Sequence, residues 1–255
     1  MDITGTTISR GGHLLTDVSA PTAAGEAGTL TFTIRAADGT PVTAFAHSHG
    51  KALHLIAVRT DGTGYRHLHP ALDAATGVWS TPVTWDAAGS YRIFADATPL
   101  GAEGVTLSRT IDVAGDLRPA EYRGERRHVT VDGLDVHLDG ALRTGDGGVL
   151  TVTVSEHGHP VQRLQPYLGA FGHLVALREG DLAYLHVHAL GEDPAPADLS
   201  GPEVAFHASA PTPGRYFLYL DFQVDGRVRT GSFVVEASDS PAAPTEHHLH
   251  HVHAH

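Results

Sequence analysis

Cysteine is absent from the 255-residue chain, and methionine occurs once, as Met1. The first absence removes disulfide frameworks, thiolate zinc sites and the cysteine ligand that a type 1 copper centre needs. It also leaves the redox compartment unreadable from cysteine usage. With almost no sulfur, the chain is a poor match for Cu⁺, whereas its 20 histidines suit Cu²⁺ and Zn²⁺. Lysine occurs only as Lys51, and 17 basic residues stand against 29 acidic ones, a formal net charge of −12. Such a chain repels a phosphate backbone, so nucleic acid is not an expected partner. No apolar run reaches the ~18 residues that cross a membrane. The opening Met1-Asp2-Ile3-Thr4-Gly5 lacks the basic-then-apolar pattern of a signal peptide. Long runs of helix formers are missing too, while Gly 29 and Pro 15 signal many turns. Together these point to an all-β chain.

What is present is a repeat. Pro41 to Pro70 aligns with Pro160 to Ala189 without a gap at an offset of 119. His54, Leu55, Ala57, Arg59, Tyr65, His67 and His69 match His173, Leu174, Ala176, Arg178, Tyr184, His186 and His188. The match extends upstream, where Gly28–Ile34 resembles Gly148–Val154, and downstream, where Gly89–Asp96 resembles Gly214–Asp221. The organisation expected is a β-sandwich unit over 1–115, a charged linker over 116–128, a second unit over 129–238 and a His-rich tail over 239–255. Short alternating runs such as Thr29–Ile34, Ala52–Arg59, Tyr65–His69 and Ser90–Asp96 read as strands. Asp86-Ala-Ala-Gly89-Ser-Tyr91 and Gly214-Arg-Tyr216 resemble the tyrosine corner of immunoglobulin-like sandwiches. The fold expected is two tandem immunoglobulin-like antiparallel β-sandwiches from an internal duplication, with a cupredoxin-like sandwich as the competitor.

Residues two apart on a strand face the same side, so His67 and His69 point together. A hairpin register in which His67 faces Val58 and His69 faces Ile56 puts His54 diagonally beyond His69, on the same face. Three imidazoles then converge from two strands, and the same arithmetic gathers His173, His186 and His188. Three histidines on a rigid sheet make a familiar first coordination shell for Zn²⁺ or Cu²⁺. Asp96 and Asp221, equivalent in the repeat, are candidates for a fourth ligand or for orienting a histidine from behind. One three-histidine metal site per unit is therefore expected. His47 and His49 just before the first cluster, and His157 and His159 in a turn of the second unit, are auxiliary candidates. So are His247, His248, His250, His251, His253 and His255, because a His-rich tail gathers divalent metal weakly.

The pattern His54-Leu-Ile-Ala-Val58, Tyr65-Arg-His-Leu-His-Pro70 and Gly89-Ser-Tyr91 to Asp96 resembles a motif of secreted or membrane-anchored bacterial β-sandwich proteins. These are of a high-GC, actinobacterial type and are associated with copper and other heavy-metal handling. The second copy runs His173-Leu-Val-Ala-Leu177, Tyr184-Leu-His-Val-His188 and Gly214-Arg-Tyr216 to Asp221, with Ala189 in place of Pro70. The resemblance implies a secreted or cell-envelope protein, its signal or anchor outside the present sequence. It implies a binder of Cu²⁺ or Zn²⁺ for sequestration, resistance or delivery, not an enzyme. Its partner would be the metal ion, together with a metal transporter or another envelope protein. Two rivals remain: a tandem interaction module whose histidines are structural, and a zinc hydrolase using three histidines and an open position.

Overall fold

The computed structural model describes residues 3–121, 124–185 and 187–239, and all of its regular structure is β. Each unit is a sandwich of two antiparallel sheets. In the first, the outer sheet runs Ser9–Arg10, His13–Ser19, Ala27–Ala36, Val78–Thr84 and Ala71–Asp73. Its other sheet, here called inner, runs Val105–Val113, Gly89–Pro99, Leu53–Arg59 and Arg66–Leu68. This is the strand order of an immunoglobulin-like sandwich, with a short extra strand beside the third. The second unit repeats the plan. Its outer sheet holds His128–Val131, Leu134–Gly140, Gly148–Glu156, Glu203–Ala208 and His188–Ala189, and its inner sheet holds Arg227–Ala237, Gly214–Val224, His173–Arg178 and Tyr184–Leu185. Both tyrosine corners form: Tyr91 Oη donates to Ala87 O at 3.0 Å and Tyr216 Oη to Thr212 O at 2.8 Å.

The inner sheets are the reason the two units act together. Every residue of Leu53–Arg59 is buried, which a sheet with one solvated face does not allow. Its side chains divide by parity. Leu53, Leu55 and Ala57 enter the first unit's own core with Phe32, Trp79 and Trp85. Ile56 and Val58 point the other way, into a separate cluster with Phe94, Val175, Leu177, Phe217, Tyr219 and Val234. In the second unit Leu174, Ala176, Tyr216, Leu218 and Leu220 fill its own core. The inner sheets therefore pack face to face, giving four layers and three apolar clusters.

Three further contacts cross this interface. The turn at Asp61-Gly62 seats against the second unit, where Tyr219 Oη donates to Gly62 O at 2.6 Å. Gly62 has φ of 78°, and a Cβ there would stand 2.8 Å from the Phe217 ring. Tyr65 stacks on Tyr219 with centroids 4.0 Å apart. The segment before the first unit reaches over as well: Tyr184 N donates to Thr4 O at 3.0 Å, and Thr4 Oγ1 donates to Tyr184 O at 2.6 Å. The charged stretch expected to be a plain linker is tied down, since Ala120 N donates to Asp61 Oδ2 at 2.8 Å and Arg59 Nη2 to Arg118 O at 3.0 Å.

One detail of the expected hairpin is corrected. The register pairs Ile56 with His67 and Leu55 with Leu68, two residues from the pairing anticipated. The cause is the turn. Asp61 accepts from Arg59 Nε at 2.9 Å, Thr63 N at 3.1 Å and Thr63 Oγ1 at 2.7 Å, which closes the chain earlier, over Asp61-Gly62. Burial alone would raise the Asp61 carboxyl, but these bonds and the Arg59 guanidinium hold it well below the ordinary range. A shift of two keeps side-chain parity, so His67 still faces the intended side.

Truncating the interface has a measurable consequence. Phe94 is fully buried between the sheets, its ring 5.7 Å from that of Tyr184. Phe94→Ala is expected to lower the unfolding free energy by roughly 3–5 kcal/mol, read from the urea midpoint and slope. A loss under about 1 kcal/mol would show that the units do not lean on one another.

Candidate metal centre

His54 lies on the interface face of its strand, two residues before Ile56, and is 4% exposed. His173 holds the same place in the second unit, two residues before Val175. Because the inner sheets face each other, these equivalent histidines meet. Their rings stack with centroids 5.6 Å apart and planes 9° from parallel. His67 is 5.2 Å from His54 and 4.8 Å from His173, centroid to centroid. His69 is 4.8 Å from His67 and 5.2 Å from His54. Asp221, opposite His173 in the sheet, completes the group from the second unit. Two overlapping sets of donor atoms result, His54 with His67 and His69, and His67 with His173 and Asp221, each set within 4.8 Å.

The three-histidine set expected in the first unit forms, from His54, His67 and His69. Among the described residues, His173 joins these histidines across the interface. Sequence spacing identified the shared face but not the second sheet covering it. His186 lies outside the described residues. His188 sits in a strand of the outer sheet, paired with His207. Asp96 pairs with His54 as Asp221 pairs with His173, and it accepts from Thr106 Oγ1 at 2.9 Å. It belongs to neither donor set among the described residues. His49, in the loop above, brings its ring within 6.1 Å of His54 and 5.9 Å of His173. His47, His157 and His159 are exposed and belong to neither set. The tail histidines lie outside the described residues.

Hydrogen bonding fixes which nitrogens are free. His54 Nε2 lies 3.0 Å from Ser48 O, and a carbonyl only accepts, so that nitrogen carries the proton. Neutral His54 therefore presents a bare Nδ1. His67 Nδ1 lies 2.7 Å from Asp221 Oδ2, and an ionised carboxylate only accepts, so neutral His67 presents a bare Nε2. These two bare nitrogens face each other at 2.9 Å. Two lone pairs at that distance repel unless a cation or a proton lies between them. Two nitrogens about 2.0–2.1 Å from one ion, at a right angle, stand about 2.9 Å apart. His69 Nε2 and His173 Nδ1 are also buried and have no hydrogen-bond partner among the described residues. A donor set of imidazoles and one carboxylate, with buried nitrogens that lack a partner among the described residues, fits a divalent ion of the Cu²⁺ or Zn²⁺ type.

Burial keeps the imidazoles neutral. It pushes His67 down to about 3, helped by the neighbouring His54, and His69 down to about 3. It lowers His54 and drives His173 well below 6.5. It raises Asp221 to about 6, against the bond from Thr230 Oγ1 at 2.5 Å. Beside the cluster is a cavity of about 250 Å³ whose wall includes His54, Asp96, Arg10, Lys51, Ser48 and Thr106.

These shifts give a pH dependence. His67 binds its proton near pH 3 when folded and near 6.5 when unfolded, so acid favours the unfolded chain. That costs about 1.4 kcal/mol for each pH unit below 6.5. Asp221, raised when folded, offsets this between about 6 and 4. His173, His54 and, with more solvent screening, His69 act in the same direction as His67. The chelator-treated protein is expected to lose roughly 1–3 kcal/mol between pH 7 and pH 4. A urea midpoint unchanged over that range would contradict the burial of neutral imidazoles.

A sequence family described as a domain of unknown function, DUF8832, matches residues 11–115 and again residues 129–239. No curated protein matches the chain. Among solved structures, the chain is similar to surface layer protein SbsC domains 4–9, with 12% identity, TM-score 0.24, 89% of this chain covered and 31% of that one. It is similar to the Yersinia pseudotuberculosis adhesin InvE, with 15% identity, TM-score 0.24 and coverage of 85% and 56%. It is similar to the D0-D1 domain of Intimin, with 13% identity, TM-score 0.26 and coverage of 88% and 98%. The chain thus spans about a third of the first of these and just over half of the second.

Proposed function

The chain belongs to the DUF8832 family, and we propose that it binds a divalent metal ion, Cu²⁺ or Zn²⁺, at a centre shared by its two units. One observation carries the reading: four imidazoles and a carboxylate meet in the buried interface, two bare nitrogens face each other at 2.9 Å, and two more lack partners. A structural histidine cluster would be expected to satisfy its nitrogens on backbone groups, as only His54 of this cluster does among the described residues. Metal gives the remaining nitrogens a partner. A shared centre also couples metal binding to the union of the units, because ligands from both must be in place. Cys-free, nearly Met-free chemistry favours Cu²⁺ or Zn²⁺ over Cu⁺. The resemblance of the two motif copies to envelope metal-handling proteins supports a role outside the cytoplasm in sequestration or delivery, with a transporter or another envelope protein receiving the ion.

The cavity beside His54 is the one observation that favours a hydrolytic reading. At about 250 Å³ it falls just below the usual range of small-molecule pockets. Of the described donors only His54 borders it, while His67, 3% exposed at its side chain, lies behind. A cavity reaching a single donor suits a route for the ion better than a place for substrate on an open metal face.

The test is calorimetric titration of Cu²⁺ and Zn²⁺ into the full chain with the six tail histidines replaced by alanine, alongside His67→Ala and His173→Ala. Saturable binding is expected, weakened at least about 100-fold by His67→Ala, whose ring belongs to both donor sets, and reduced by His173→Ala, with circular dichroism confirming that each variant folds. Independent sites in each unit would instead leave one of two binding events intact in His67→Ala. No saturable binding would overturn the metal reading and leave a tandem interaction module as the better account.

A further inference from the structure

The two donor sets share one residue, His67, and they approach it from opposite ends of its ring. Nε2 faces His54 Nδ1 at 2.9 Å; Nδ1 faces Asp221 Oδ2 at 2.7 Å. The two nitrogens of an imidazole diverge, so a donor in line with one and a donor in line with the other cannot serve the same ion together with His67. Each set also contains a histidine with a buried nitrogen that has no partner among the described residues, Nε2 of His69 in one and Nδ1 of His173 in the other. An Asp221 that only oriented His67 from behind would account for the 2.7 Å contact. It would not account for His173, a member of the same set as that carboxylate, whose Nδ1 is buried without a partner among the described residues.

Resting on the metal-binding reading above, we propose that the centre takes two divalent ions with the His67 ring as an imidazolate bridge. One ion sits among His54, His69 and His67 Nε2. The other sits among Asp221, His173 and His67 Nδ1. Each ion then has three donors from the chain and keeps room for an exogenous ligand. Filling both positions releases the proton of the His67 ring to solvent, so the ring carries one negative charge between two dications. Asp221 changes from a hydrogen-bond acceptor to a ligand, and Thr230 Oγ1 continues to donate to its other oxygen at 2.5 Å. The bridge lies across the interface, with one ion held mostly by the first unit and one mostly by the second.

The experiment loads the full chain, tail histidines replaced by alanine, with Cu²⁺. Native mass spectrometry counts the ions, and electron paramagnetic resonance integrates the spins at low temperature. Two ions per chain are expected, with integrated intensity well below two spins, because an imidazolate couples the coppers antiferromagnetically. His69→Ala and His173→Ala should each retain one copper with the full intensity of one spin. They test the bridge even if His67→Ala fails to fold. One ion at saturation would overturn the bridge and leave the metal-binding reading standing. Two ions with two full spins would also overturn it, placing the second ion elsewhere, for example on His47 and His49. No bound copper would overturn the metal-binding reading itself.

Discussion

The face-to-face packing of the two inner sheets is the constraint from which the rest follows. A strand buried on both faces must supply apolar side chains at both parities. Leu53–Arg59 and His173–Arg178 do so, except that the first interface-side residue of each is a histidine, His54 or His173. At those two points the apolar seam gives way to polar groups, and because the units are copies, the exceptions coincide in space. His54 stacks on His173. The same packing buries His67 and Asp221, whose charged forms the seam then disfavours. Without the second sheet, His54, His67 and His69 would form a half-exposed row, with little to hold their protonation states or to keep water from their nitrogens.

Duplication alone would give two equal sites, yet the described contacts are unequal. His67 bonds to Asp221 across the interface, while Asp96, at the matching position, accepts from Thr106 and enters no donor set among the described residues. Both carboxylates keep their threonine, Thr106 or Thr230, so the local strand geometry of the two copies is retained. The difference lies in what faces each carboxylate from the other unit. Asp221 meets His67; the residue matching His67 in the repeat is His186, outside the described residues. A sandwich can be copied strand by strand, but an interface formed between copies is a new environment for both.

Much of this was legible in the chain. The offset repeat gave two sandwiches, and the tyrosine corners at Tyr91 and Tyr216 formed as their Gly-x-Tyr contexts implied. Period-two alternation puts His54, His67 and His69 on one face even though the hairpin register differs by two from the one the spacing predicts, because parity survives an even shift. The partner of that face was not legible from spacing. Periodicity states which residues share a side and says nothing of what covers it. One signal was nonetheless there. Leu53-His-Leu-Ile-Ala-Val58 and His173-Leu-Val-Ala-Leu177 are apolar at both parities, which marks strands buried on two faces and so a second sheet above them. Read that way, a histidine inside such a run is a polar group in an interface between units. His49 offered no comparable signal, since a loop has no period, and its approach to His54 and His173 depends on the course of the chain before the strand.

The chemistry of the cluster comes from that mismatch between its parts. An apolar seam selects neutral imidazoles. Fixed outer partners, Ser48 O and Asp221, then select tautomers that turn lone pairs inward. Neither choice is favourable by itself: neutral rings with inward lone pairs repel, and protonating one of them places a charge in the seam. At low pH the proton on Asp221 resolves the conflict by letting His67 reverse its tautomer and donate to His54. At neutral pH the proposed metal ion would resolve it instead, through bonds to the same lone pairs. The site is thus tuned by Ser48 O, by Asp221 and by its burial more than by the count of histidines. Transferring the same ligands to an exposed face would preserve the spacing and lose the fixed tautomers, and with them the inward lone pairs that give a cation its advantage over water.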